Sequence, residues 1–257
     1  MANDFSADAN CKALWRLESG ALTVDSKGGN TLTNQGVDED LVNFKEGACS
    51  GFFVRASIDR MTIADADLDA GFPLKSDAAH TSFSFVGWIK LTATGLYQYI
   101  LNKYNSSLIL QVDNANKVTL SLYDGAWRAY VHGSALAADT WYHFAVTHND
   151  ADNAYRIRIW DDTAGAILGV DKTGIAVTPN LGNANFTLGT SATSAFGGNE
   201  DEVVAFNDVL SVDEIDAIRA GTYGGGAPPV VVKKLVRDRT RGSYVNRKCV
   251  SKSIIIN

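Results

Sequence analysis

Leu108-Ile109-Leu110-Gln111-Val112, Asp113-Asn114-Ala115-Asn116 and Lys117-Val118-Thr119-Leu120-Ser121-Leu122 decide the fold. Side chains alternate across an extended chain, so Leu108, Leu110 and Val112 share one face of a strand, and Val118, Leu120 and Leu122 share one face of the next. The four residues between them are turn formers, so the stretch predicts a β-hairpin. The same period recurs where Tyr155, Ile157 and Ile159 alternate with Arg156, Arg158 and Trp160. Ser82 to Lys90 carries bulky groups on both faces, which suits a central strand covered from both sides.

A chain of 257 residues fits one large all-β domain with an appendage. No apolar run approaches the roughly 18 residues of a membrane helix, so no membrane partner is expected. The first 30 residues intersperse Asp4, Asp8, Lys12, Arg16 and Glu18 among short apolar stretches, so no cleaved secretory signal is expected. Cys11, Cys49 and Cys249 lack metal spacing. Buried free thiols are expected for them, with a Cys11–Cys49 pair as the alternative.

Net charge is −6, yet from Lys233 onward eight basic residues face a single acid, Asp238. That end carries +7 and leaves −13 on residues 1–232. The split points to an acidic partner for the basic segment.

One short helix is expected near residues 212–220. Ser211 with Glu214 gives the capping-box spacing, Ile215 and Ile218 share a face, and Gly221 supplies the stop. Gly224-Gly225-Gly226-Ala227-Pro228-Pro229 then reads as a linker. The predicted organisation is a module over residues 1–223, a linker over 224–229 and an extended basic β arm over 230–257. In the arm, β-prone Val230-Val231-Val232 and Ile254-Ile255-Ile256 flank Lys233, Lys234, Arg237, Arg239, Arg241, Tyr244, Arg247 and Lys248. Such an arm is suited to strand addition onto another sheet.

Residues 8 to about 223 resemble the concanavalin A-like, laminin-G-like jelly-roll family, in its glycan-binding and phage-associated variants. Trp15-Arg16-Leu17-Glu18 before Asp25-Ser26-Lys27-Gly28-Gly29-Asn30, Lys45-Glu46-Gly47-Ala48, Phe83 to Ile89, Trp141-Tyr142-His143, and Gly198 to Val203 with Asn207-x-x-Leu210-Ser211 carry the resemblance. It implies a two-sheet antiparallel sandwich. It also implies a calcium site, with Asp25 and Asp201 as carboxylate ligands and Asn30 completing an oxygen shell.

Glycan binding would use exposed aromatics, for which Tyr97, Tyr99 and Trp127 are the candidates, with Tyr104, Tyr130 and Trp160 also available. Trp15, Trp88 and Trp141 lie in core phrases. Hydrolases of the superfamily carry a Glu-x-Asp-x-(x)-Glu phrase, which Glu200-Asp201-Glu202 does not match, and the four histidines form no catalytic motif. The expectation is therefore a non-enzymatic surface protein. It would be a phage virion decoration or fibre component, in a virion or extracellular surface assembly, held by its arm to like subunits or a capsid protein. An exported carbohydrate-binding module is the alternative, and nucleic-acid contact through the arm is the weaker third reading.

Overall fold

A computed structural model of the chain describes residues 3–79, 81–104, 107–190 and 194–224. The predicted arm, with Lys233, Lys234, Arg237, Arg239, Arg241, Tyr244, Arg247 and Lys248, lies outside the described residues. The strands are β1 (Cys11–Trp15), β2 (Thr33–Gln35), β3 (Asp38–Asp40), β4 (Ser50–Phe53), β5 (Arg60–Ile63), β6 (Phe83–Leu91), β7 (Gln98–Lys103) and β8 (Leu108–Val112). They continue with β9 (Lys117–Tyr123), β10 (Trp127–Ala135), β11 (Trp141–His148), β12 (Ala154–Asp161), β13 (Ala166–Ile167), β14 (Lys172–Ile175), β15 (Phe186–Gly189) and β16 (Gly198–Phe206).

They form two antiparallel sheets. One runs β13-β12-β11-β6-β16-β4-β3, with β1 also paired to β16 and β14 to β12; the other runs β10-β9-β8-β7-β15-β5-β2. The expected hairpin is β8–β9, with Leu110 opposite Leu120 and Val112 opposite Val118. The expected central strand is β6, flanked by β11 and β16. Burial on both sides follows from its place: Phe85 and Ile89 enter the inter-sheet core, while Val86 faces a second apolar layer.

That second layer seats the helix. Helix α1 (Val212–Arg219) is capped by Ser211, whose side chain accepts from the Glu214 N–H while Glu214 reaches back to the Ser211 N–H. Ile215 and Ile218 then pack on Val86, Ala145, Val204 and Phe206, on the outer face of the nine-stranded sheet. Arg158 fixes the helix from the sheet side by pairing with Asp216 at 2.8 Å and Asp171 at 2.9 Å.

Trp15 is fully buried and stacks on Phe186 of the opposite sheet at 5.1 Å between centroids, so the first strand joins the two layers. Cys11 and Cys49 are both buried free thiols, and burial pushes each pKa up, to about 12 and about 11.

Candidate functional site

The seven-stranded sheet turns a row of aromatic rings outward, from the start of β7 to the adjoining ends of β9 and β10. Tyr123 closes β9 and lies directly opposite Trp127, the first residue of β10. Cross-strand partners project from the same face, and their rings meet at 5.1 Å. Trp127 in turn stacks on Tyr104, with planes 12° apart and centroids at 6.1 Å, and Tyr104 contacts Tyr99 at 6.2 Å. Tyr104 is 45% exposed, and the other three are half-buried. Four rings thus form one open apolar platform, in which the Tyr99 hydroxyl is bonded to Ser194.

Of the residues expected from sequence, Tyr99 and Trp127 belong to this row, joined through Tyr104. Tyr97 makes no ring contact with them; it stands exposed before β7, where its carbonyl accepts from Arg55. Tyr130 instead packs on Tyr155 between the sheets, and Trp160 lies under the Arg219 guanidinium at 3.7 Å. Sequence reasoning does not single out Tyr123. Its usable signal is parity: it follows Thr119 and Ser121 on the face opposite Val118, Leu120 and Leu122.

A buried ion pair fixes the platform from behind. Lys103 is fully buried at the end of β7, and its ammonium donates to Asp65 and, at 2.9 Å, to the Ala184 carbonyl. Burial pushes the Asp65 carboxyl up, but bonds from Lys103 and Ser76 outweigh it and hold the group below its ordinary range. Tyr104 follows Lys103 directly. The segment 180–185 is tethered at two points beside the row, since Asn180 N–H donates to the Tyr123 carbonyl at 2.7 Å and Ala184 receives Lys103. Between and beside these tethers the amide side chains of Asn180, Asn183 and Asn185 are exposed.

The three expected calcium ligands are not brought to one point. Asp25 is buried and accepts four N–H bonds: Leu14 and Lys27 on one oxygen, and the Asn30 backbone and side-chain amides on the other, all at 2.9–3.0 Å. Asn30 also donates to the Lys12 carbonyl and accepts from the Asp69 N–H. The Asp-Ser-Lys-Gly-Gly-Asn loop is thereby closed by its own backbone. Asp201 lies on the far side of β1, because Asp25 bridges to Trp15 on one flank and Trp15 pairs with Val203 of β16 on the other. Its carboxylate accepts the Lys45 and Glu46 N–H groups. Among the described residues, no three His, Cys, Asp or Glu side chains gather in a way that would hold a metal ion. A single shell of Asp25, Asn30 and Asp201 therefore does not fit this arrangement.

A model of the concanavalin A-like lectin/glucanases superfamily matches residues 65–216, more than half of the chain. The chain belongs to this superfamily. Several solved structures share the superfamily fold with it. The fourth domain of AbnA, a GH43 extracellular arabinanase from Geobacillus stearothermophilus, in complex with arabinotriose, aligns with a TM-score of 0.61 at 14% identity. The alignment covers 82% of this chain and 98% of that one. The binding domain of Paraclostridial Mosquitocidal Protein 1 aligns with a TM-score of 0.60 at 12% identity, covering 82% of this chain and 52% of that one. The binding domain of botulinum neurotoxin DC, in complex with SialylT, aligns with a TM-score of 0.60 at 12% identity, covering 89% and 53%. The chain thus spans about half the length of the two toxin structures. None of the curated proteins matches it in sequence.

Within the lectin/glucanases superfamily, glycan cleavage requires two carboxyls facing a scissile bond. The dense acidic phrase here is buried instead. Glu200 is fully buried opposite Ile89, a core residue, and neither of its oxygens has a hydrogen-bond partner. Burial alone raises its pKa well above the ordinary value. Asp201 is pushed up to about 8 by burial despite two backbone donors. Glu202, in a left-handed backbone conformation at a bulge, is pushed up to about 7 by burial against the pull of Arg16. His143 is buried beside Trp88, and burial lowers it to about 3.

A cavity of about 410 Å³ opens on the other sheet, between Lys45, Glu46, Trp88, Asp162 and Arg219. Its indole is not a free stacking surface. Lys45 lies 4.6 Å over Trp88 and pairs with Asp162 at 2.7 Å.

Proposed function

We propose that the chain is a lectin-like module that holds carbohydrate on the Tyr99–Tyr104–Trp127–Tyr123 row without cleaving it. The carrying observation is that row itself: contiguous outward rings offer apolar faces to the C–H faces of sugars, and the exposed amides of segment 180–185 offer donors and acceptors for hydroxyls. The fold relatives seen with arabinotriose and with SialylT support the same reading. Trp127→Ala and Tyr104→Ala are each expected to weaken glycan binding by about tenfold or more, given roughly 1–3 kcal/mol per lost stacking contact. Titration calorimetry against a glycan first identified by array screening checks this. Unchanged affinity in both variants would sink the reading.

The wider proposal places the module on a phage virion, as a head decoration or fibre component, with residues 227–257 as the anchor. The contrast between +7 from Lys233 onward and −13 on residues 1–232 supports docking on an acidic surface of a like subunit or a capsid protein. Removal of residues 227–257 is expected to abolish particle association while leaving glycan affinity unchanged, as read by co-sedimentation and native mass. Retained association would favour an exported carbohydrate-binding module instead.

A further inference from the structure

Among the described residues, the strands with a free side are β1, β2, β3, β10, β13 and β14, and an unpaired edge is a template for another strand. β1, β10 and β14 each carry one Lys or Arg, namely Lys12, Arg128 and Lys172, while β2 and β13 carry neither acid nor base. β3 differs from all of them: it is Asp38-Glu39-Asp40, with Asp38 and Glu39 exposed, and it pairs on one side with β4.

Two of these carboxylates are fixed in place. Glu39 accepts the Ser19 hydroxyl at 2.6 Å and the Gly20 N–H at 2.7 Å, and these bonds lower its pKa. Asp40 accepts N–H groups of Val42, Asn43 and Asn199, all at 2.9 Å; burial pushes it up, but the bonds outweigh burial. The same bonds end the strand at Asp40 and brace the loop that follows, which holds Leu41 and Val42 outward, 60% and 84% exposed. The edge thus offers a short line of anions followed by an apolar prong. Lys90 donates to Asn43 of that loop at 2.8 Å, and Lys45 pairs with Asp162.

β3 of a second copy is a poor occupant, because like charges would lie opposite each other. A basic, β-prone segment fits, and the sequence contains one in Val231-Val232-Lys233-Lys234. Set antiparallel, Lys234 meets Glu39 and Lys233 meets Asp40, with Val232 and Val231 toward Leu41 and Val42. Cations then face anions, and apolar residues face the prong.

We propose that β3 is a docking strand and that it takes residues 231–234 from the arm of a second copy. This rests on the reading of residues 227–257 as an anchor and adds the surface on which the anchor lands. Backbone bonds to the free edge supply affinity, and the charges select the partner and the register. Because donor and acceptor surfaces differ, the contact either closes by mutual exchange of arms or continues head to tail.

The test is charge reversal on each side, in the full chain. One variant carries Asp38→Lys with Glu39→Lys, and another carries Lys233→Glu with Lys234→Glu. Asp38→Lys alone keeps the Glu39 bonds intact, and thermal melts confirm that all three fold. Native mass spectrometry and sedimentation velocity read assembly of each variant, and of the two double variants mixed.

The expected parent is a dimer or larger species that salt weakens. Each double reversal should raise its dissociation constant about tenfold or more. Mixing the two should restore assembly, since the acidic arm of one then meets the basic edge of the other. A monomeric parent, assembly indifferent to the reversals, or no recovery on mixing would overturn the docking. Assembly lost in the arm variant but kept in both edge variants would overturn β3 as the receiver and leave the anchor reading standing. So would a monomeric parent that still needs residues 227–257 to co-sediment with particles.

Discussion

Lys103→Met is expected to destabilise the protein by about 3–5 kcal/mol, the range for breaking a buried ion pair by removing one partner. For a domain of this size that is a fall of roughly 10 °C in thermal midpoint. The reason is what remains behind. Asp65 is 4% exposed and would keep a buried carboxylate held only by Ser76, while the Ala184 carbonyl would lose the ammonium that tethers segment 180–185.

Substituting both partners together, as Lys103→Met with Asp65→Leu, is expected to recover much of the loss, because no lone charge is then left in the core. Four melts in a double-mutant cycle check this. A single Lys103→Met variant melting within about 2 °C of the parent would show that the pair contributes little. Since Tyr104 follows Lys103 in the chain, the variant is also expected to weaken glycan binding beyond its effect on folding.

The period-two runs made the sheets legible because burial on one face of a strand is written directly in the alternation. Leu108 to Leu122 and Tyr155 to Ile159 pair as their patterns require, and Ser211 with Glu214 caps the one helix. The platform was only half legible. Trp127 and Tyr99 stand out as aromatic residues, but their meeting through Tyr104 depends on how β7, β8 and β9 stack, which no local pattern encodes. Tyr123 is the sharper case, since its role comes from lying opposite Trp127 in a hairpin register.

Loop composition misleads in the opposite direction at Asp25 and Asn30. Oxygen-rich, Gly-containing loops suit a cation, yet the same side chains can satisfy backbone N–H groups, and here Asp25 accepts three such bonds and a fourth from the Asn30 side-chain amide. Glu200 was illegible for a related reason. Its acidic neighbours suggest solvent, whereas its pairing with Ile89 turns it into the core.

That buried acidic strand gives the second large expectation: stability should fall as pH rises from about 5 to 8, by several kcal/mol. Burial raises Glu200 well above its ordinary value, Asp201 from 3.8 to about 8 and Glu202 from 4.5 to about 7. In that window the unfolded chain has released these protons and the folded chain still holds them, so the folded state binds more protons and rising pH favours unfolding. Each such group contributes about 1.4 kcal/mol per pH unit between its unfolded and folded values.

The opposite sign applies to His143, which burial lowers to about 3, and to His148, which burial also lowers: below pH 6.5 the unfolded imidazoles hold protons that the folded ones have released, so both partly offset the fall there and leave it steeper above. It applies again further down. Burial raises Asp40, but bonds from Asn43, Asn199 and Val42 outweigh it and hold the group at about 2. Its contribution is therefore present above the unfolded value of 3.8 and lost as pH falls toward 2. Maximum stability should thus lie near pH 4–5. Urea denaturation at unit steps between pH 4 and pH 8 reads the slope directly. Glu200→Met replaces a partnerless buried acid by an apolar side chain of similar length, so it should flatten the profile and stabilise most at pH 8. A parent profile that is level or rising across this range would mean that water or another group reaches the acidic strand, and that its carboxyls ionise without penalty.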